Sequence, residues 1–191
     1  MQPEHGIPTL VEAMDEISEA AQSFALTEDG MTSPILHCFS DEGALTIAHL
    51  VGQRGPHLGR AVQHAIAALD PLIVILAAQA WVTMVKRDEV PIPHHKRPHV
   101  LMLMGEDRAG HELNRAWYII EPAGRGDPRT LLPMDMEGAT SLGGNVHPLF
   151  LFRQYVKAGY NEKVARAMAR KEAEAAGGIN AVPLFTSGLR Q

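Results

Sequence analysis

Between positions 9 and 26, Leu10, Met14, Ile17, Ala21 and Phe24 recur at spacings of three and four. That stripe predicts a helix with one buried face. Glu12, Asp15, Glu16 and Glu19 fall on the other faces. Thr9 followed three residues later by Glu12 fits a capping box, in which each side chain satisfies a backbone N–H of the first turn. The period then changes. Segments 35–39 and 44–50 read as strands around Ser40-Asp41-Glu42-Gly43, a turn of the hairpin kind. Segment 56–69 returns to the helical period, with Leu58, Val62, Ala65, Ile66 and Leu69 on one side. Pro56 falls in its first turn, where a missing N–H costs nothing.

Segment 72–85 opens with the unbroken run Leu-Ile-Val-Ile-Leu and predicts a long central strand, buried on both faces at its start. Pro91, Pro93 and Pro98 make the next stretch a loop. Segments 100–104 and 112–120 form a further hairpin, joined around Glu106-Asp107-Arg108-Ala109-Gly110. A short strand over 131–136, a short helix over 148–158 and a last helix over 161–176 follow. Asn161 caps that last helix and Gly177-Gly178 stops it. The expected fold class is α+β, a mainly antiparallel sheet with flanking helices in the order α-β-β-α-β-β-β-α-α. Profilin-like and roadblock-like modules share that order, an analogy of elements that implies no function. The expected organisation is one domain over 1–178, with its core at about 32–136, and a tail or arm over 179–191.

With 191 residues, 46% of them hydrophobic, the chain can bury a core without a disulfide or structural metal. A net charge of −5 and the lack of any Lys/Arg run of five argue against nucleic acid or anionic lipid as a partner. The single cysteine, Cys38, cannot form an internal disulfide. The opening Met-Gln-Pro-Glu-His has neither a basic nor an apolar leader region, so no secretory signal is expected. The longest apolar run, 72–78, is too short to cross a bilayer. A reducing cytoplasm is therefore the expected location.

The stretch Ala78-Gln79-Ala80-Trp81, the loop ending His95-Lys96-Arg97, and Val100-Leu101-Met102 leading to Glu106-Asp107-Arg108-Ala109-Gly110 resemble a loose group of small bacterial and phage proteins. Members carry a strand ending Glu-Ala-Trp, then His-Pro-Asp-Arg, then an apolar strand ending Glu-Asp before a glycine turn. Here Gln79 stands for the first glutamate, and Lys96 precedes Arg97 where aspartate is usual. The resemblance spans roughly residues 32–121. It implies a shared domain, a bacterial, phage or prophage origin and, for a phage protein, the host cytoplasm. It adds no chemistry.

Ten histidines invite a metal reading. His94, His95 and His99 share one loop and His111 lies across the next hairpin, a set able to bind zinc, nickel or copper. Adjacent His94 and His95 point oppositely if extended, however, and no H-E-x-x-H supports them. Glu106 and Asp107 are carboxylates beside a glycine turn, where turn geometry alone explains an aspartate. Cys38 lies within a strand, and His37 beside it points to the other sheet face. Gly52-Gln53-Arg54-Gly55 lacks the Lys-Ser/Thr of a phosphate loop, and Arg125-Gly126-Asp127 reads as a coincidence. Trp81 and Trp117 are expected in the core. Leu149, Phe150, Leu151, Phe152 and Tyr155 concentrate aromatic and apolar surface in seven residues. Packing on the sheet is their default, and partner binding through Phe150, Phe152 and Tyr155 the functional alternative.

No catalytic residue, metal or cofactor is assigned on this reading. The expected function is a non-enzymatic binding or assembly module, associating with itself or another protein through its C-terminal segment. The alternative is a metal-dependent hydrolase using loop 94–99, His94, His95 and His99 acting with His111, Glu106 or Asp107.

Overall fold

The computed structural model describes residues 7–27, 30–53, 56–81, 98–121, 128–135, 149–175 and 184–185. Helix α1 spans Leu10–Ala25 and begins with the capping box. The Thr9 hydroxyl accepts the Glu12 N–H at 3.3 Å, and the Glu12 carboxylate accepts the Thr9 N–H at 2.8 Å. Hydrogen bonds donated by the Thr9 N–H and the Thr9 hydroxyl hold the Glu12 carboxyl below its usual pKa. The buried stripe runs Leu10, Ala13, Met14, Ile17, Ala21, Ala25. Its last step is four residues, so Phe24 turns outward and is exposed.

The remaining elements are β1 (Ile35–Phe39), β2 (Leu45–His49), α2 (Pro56–Leu69), β3 (Ile73–Trp81), β4 (His99–Asp107), β5 (Glu112–Ile120), β6 (Thr130–Pro133), α3 (Phe152–Lys157), α4 (Glu162–Ala175) and β7 (Leu184–Phe185). The fold is α+β. The strands form one sheet in the order β6-β5-β4-β3-β1-β2-β7, and every neighbouring pair is antiparallel. The expected order of elements holds, the short strand expected over 131–136 appears as β6, and the two-residue β7 is added. β3 is buried from Ile73 to Ala78, as its unbroken apolar run requires.

Both faces of the sheet are covered. Ile73, Ile75 and Ala77 of β3 and Leu101 and Leu103 of β4 face α1. Gly105 lets α1 approach: a Cβ there would lie 2.6 Å from Met14 Cε. Arg115 of β5 fastens the same face, donating to Asp15 at 2.6 Å and to Ser18 at 3.1 Å. The alternate residues Leu36, Cys38, Val74, Leu76 and Met104 pack against Val62 and Ala65 of α2 and against Leu149, Phe150, Phe152 and Ala165. The buried core thus draws on residues from Leu10 to Ala173, well beyond the stretch 32–136.

α3 ends in a Schellman motif, which requires the left-handed Gly159 (φ +96°). The Gly159 N–H bonds the Val156 carbonyl, and the Tyr160 N–H reaches back to the Tyr155 carbonyl. The Asn161 side chain then accepts the Val164 N–H at 3.0 Å and starts α4. α4 packs along a thin stripe, with Ala165 and Ala173 buried. The two sheet edges differ. β6 is short and ends at Pro133, which blunts it as a pairing template. The opposite edge strand, β2, receives β7, with Ile47 opposite Phe185 and Ala48 opposite Leu184. Part of the segment expected to be a tail or arm therefore lies against the sheet. Among the described residues, no helix is long and apolar enough to cross a membrane.

Candidate functional site

Of the two carboxylates expected at the β4–β5 turn, Asp107 closes the turn and Glu106 lies elsewhere. β4 runs on to Asp107, so Glu106 is a strand residue, 2% exposed, on the α2 face. One Glu106 oxygen accepts the N–H of Leu149 at 2.8 Å and of Phe150 at 3.2 Å. Arg153 Nε stands 3.8 Å from the other oxygen. Gln63 of α2 completes the arrangement: its amide donates to the Leu149 carbonyl at 2.9 Å and accepts the Leu151 N–H at 3.3 Å. Backbone groups ahead of α3 that would otherwise be stranded in the interior thus find side-chain partners. Glu106 and Gln63 clamp the C-terminal helices to the sheet.

That clamp decides the place of the aromatic segment. Phe150 and Phe152 are interior rings, 2% and 7% exposed, with centroids 5.7 Å apart. In this fold they are not surface anchors. Both rings belong to the buried cluster that also holds Leu36, Val74 and Leu76. Tyr155 is half-buried at the margin of the same cluster, and its hydroxyl donates to Glu172 of α4. Arg166 covers Phe152, its guanidinium carbon 4.7 Å from the ring centre, and reaches Asp70 at 2.8 Å. Asp70 adopts φ +44° just after α2 and also meets Arg108 at 3.2 Å, joining α2, α4 and the β4–β5 turn. The groove between α2 and α4 beside these residues holds about 70 Å³. That is well short of the several hundred cubic ångströms typical of a ligand pocket.

The histidines divide between the two ends of β4. At one end, Asp107 binds His111 Nδ1 at 2.6 Å, and its other oxygen accepts the N–H groups of Gly110 at 2.7 Å and His111 at 2.9 Å. Burial raises the Asp107 pKa, but these hydrogen bonds outweigh it and hold the carboxyl below its usual value. The arrangement closes the turn, with Gly110 at φ +95° and the Arg153 side chain packed directly on it. At the other end, His99 stacks on Trp81 with ring centres 4.6 Å apart and planes within 15°. Glu121 lies 3.4 Å from His99 Nδ1 and accepts from Arg129 at 3.0 Å. Arg129 also donates to the Thr27 carbonyl at 2.9 Å, beyond the end of α1. Eight residue steps separate His99 from Asp107, roughly 26 Å of strand. His99 and His111 therefore cannot share a metal ion, and the four-histidine set does not form one centre. His94 and His95 lie outside the described residues. Among the described residues, no three His, Cys, Asp or Glu side chains are placed to hold a metal.

Trp81 is another correction. Trp117 packs against the α1-side cluster, but Trp81 is 48% exposed and rests on His99. The two indoles are also on non-adjacent strands, with β4 between them. Gln63, Glu121, Arg129 and Arg153 were not singled out by the sequence. Glu121 alone shares a parity signal with the expected residues: like Trp81 and His99 it occupies an odd position, the parity of the strand residues that face α1. Cys38 is buried, which pushes its thiol up to about 12 and leaves it inert. Of the glycine segment before α2, Gly52 has φ +72° and open space around it, while Arg54 and Gly55 lie outside the described residues, as does 125–127. No protein-family model, curated protein or solved structure matches the chain.

Proposed function

We propose that the protein is a non-enzymatic binding or assembly module that associates through its C-terminal segment. The observation that carries this reading is the addition of Leu184–Phe185 to the edge strand β2. Strand addition at a sheet edge is a general mode of protein recognition, in which main-chain hydrogen bonds supply affinity and alternate side chains supply selectivity. Among the described residues, the ladder formed by β7 covers Ile47 and Ala48 of β2. Val51, immediately after β2, is 69% exposed. An exposed apolar side chain beside an edge strand suits a surface that meets another chain.

The test is to compare full-length protein with a chain ending at residue 178. The shortened chain keeps every described element except β7 and is expected to unfold cooperatively. Association measured by sedimentation across a concentration series is expected to weaken at least tenfold. Unchanged association would remove the C-terminal segment from the interface. A full-length chain that stays monomeric throughout would remove self-assembly itself.

A further inference from the structure

We infer that copies of this chain stack head to tail, the outer face of α4 on one copy meeting the outer face of α1 on the next. The inference goes beyond the association proposed above, because neither face belongs to the β2 edge or to β7. The two helices cover opposite sides of the sheet. α1 packs on Ile73, Ile75, Leu101 and Leu103, whereas α4 buries Ala165 among the alternate strand residues. The sheet therefore lies between the two outer faces, and those of one chain cannot meet.

The faces are opposite in charge. α1 holds Glu12, Asp15, Glu16 and Glu19 and no basic residue. Helical periodicity puts these four within about 100° of arc, and all are exposed. Asp15 pairs with Arg115 and Glu12 with Thr9, which leaves Glu16 and Glu19 without a side-chain partner among the described residues. On α4, Lys163, Val164, Ala167, Arg170 and Lys171 form one exposed stripe, turned away from the buried Ala165 and Ala173. Its three cations likewise have no side-chain partner among the described residues. The carboxylates span about 10 Å of helix axis and the cations about 12 Å, so the stripes match in length as well as in sign. Val11, one turn before Asp15, is 56% exposed and Val164 is 41% exposed, which gives each stripe an apolar side chain to bury on contact. A chain of net charge −5 repels its copies in most orientations. Meeting through unlike stripes turns that repulsion into steering and fixes the orientation. Such a contact is heterologous, so each copy keeps one face open and association continues past the dimer into a ring or a filament.

Two full-length variants test the stack: Glu16→Lys with Glu19→Lys, and Lys163→Glu with Arg170→Glu. All four positions are exposed, where substitutions change stability little, and urea midpoints check that both variants fold. Each variant alone carries like charges on its two faces and should associate about tenfold more weakly in low-salt sedimentation. Mixing the two in equal amounts should restore association, because the altered faces complement each other and so do the unaltered ones. Variants that associate as the wild type does would overturn the stack. So would weakened variants whose mixture stays dissociated, because the stripes would then meet some other partner. A wild-type chain that remains monomeric would overturn it too. The two readings fail separately: the chain ending at 178 keeps α1 and α4, while the charge variants keep residues 179–191.

Discussion

At the Asp107 end of β4, Glu106 is buried at 2% exposure and holds two backbone N–H groups of the C-terminal segment. At the His99 end, the Glu121 side chain is 48% exposed and pairs with Arg129 and His99. Both glutamates sit next to an arginine, yet they have different tasks. Glu106 has no water to replace its partners, so the segment it binds must stay docked. Glu121 can exchange protein partners for solvent at little cost. Burial, more than residue type, separates a carboxylate that organises the fold from one that decorates it.

The sharpest way to break this comparison is at the rings that the Glu106 clamp delivers to the core. Phe150→Ser with Phe152→Ser should destabilise the protein by about 3–5 kcal/mol for each ring lost. The expected result in urea denaturation is an unfolded or molten chain. A well-folded double variant with weaker association would show that the rings form an interface after all. Glu106→Leu comes next. It leaves two buried N–H groups and the Arg153 charge without their acceptor, at a cost of about 3–5 kcal/mol. A loss below about 1 kcal/mol would mean that the clamp is incidental.

A third prediction uses His37, whose Nδ1 is buried without a hydrogen-bond partner among the described residues. Burial lowers its pKa to about 4, against a smaller raising effect from a hydrogen bond with the Ile75 backbone, and His49 nearby lowers it further. The unfolded chain binds a proton near pH 6.5, whereas the folded chain does so only near pH 4. This contribution to stability is therefore full above pH 6.5 and lost as pH falls towards 4, amounting to about 3 kcal/mol. His37→Leu should flatten the pH dependence of the urea midpoint across that window. An unchanged slope would assign the effect to other groups. The smallest effect is expected at the far end of β4, where Glu121→Gln should cost less than about 1 kcal/mol and become smaller still in high salt. A cost as large as that at Glu106 would erase the contrast between the two ends.

Periodicity was enough to read most of the fold. The helical stripe with its Thr9–Glu12 box, the 56–69 helix and the apolar start of β3 are local patterns, and local sequence carries them. β4 was read short because Glu106 looks like a turn residue until its partner, 43 positions away, is known. The same distance hid Gln63, which meets Leu149 across 86 positions. The histidine loop looked like one cluster with His111 because sequence spacing does not reveal which end of a strand a residue occupies. Trp81 looked like core because its strand starts so deeply buried, whereas burial fades along β3 to an exposed end. The two-residue β7 has too little pattern to be seen in sequence at all.

The most direct test of the central claim is native mass spectrometry of the untagged full-length protein, recording oligomeric mass and bound metal together. The account predicts a metal-free species above the 20.8 kDa of one chain, increasing with concentration. A monomer carrying stoichiometric metal would contradict it.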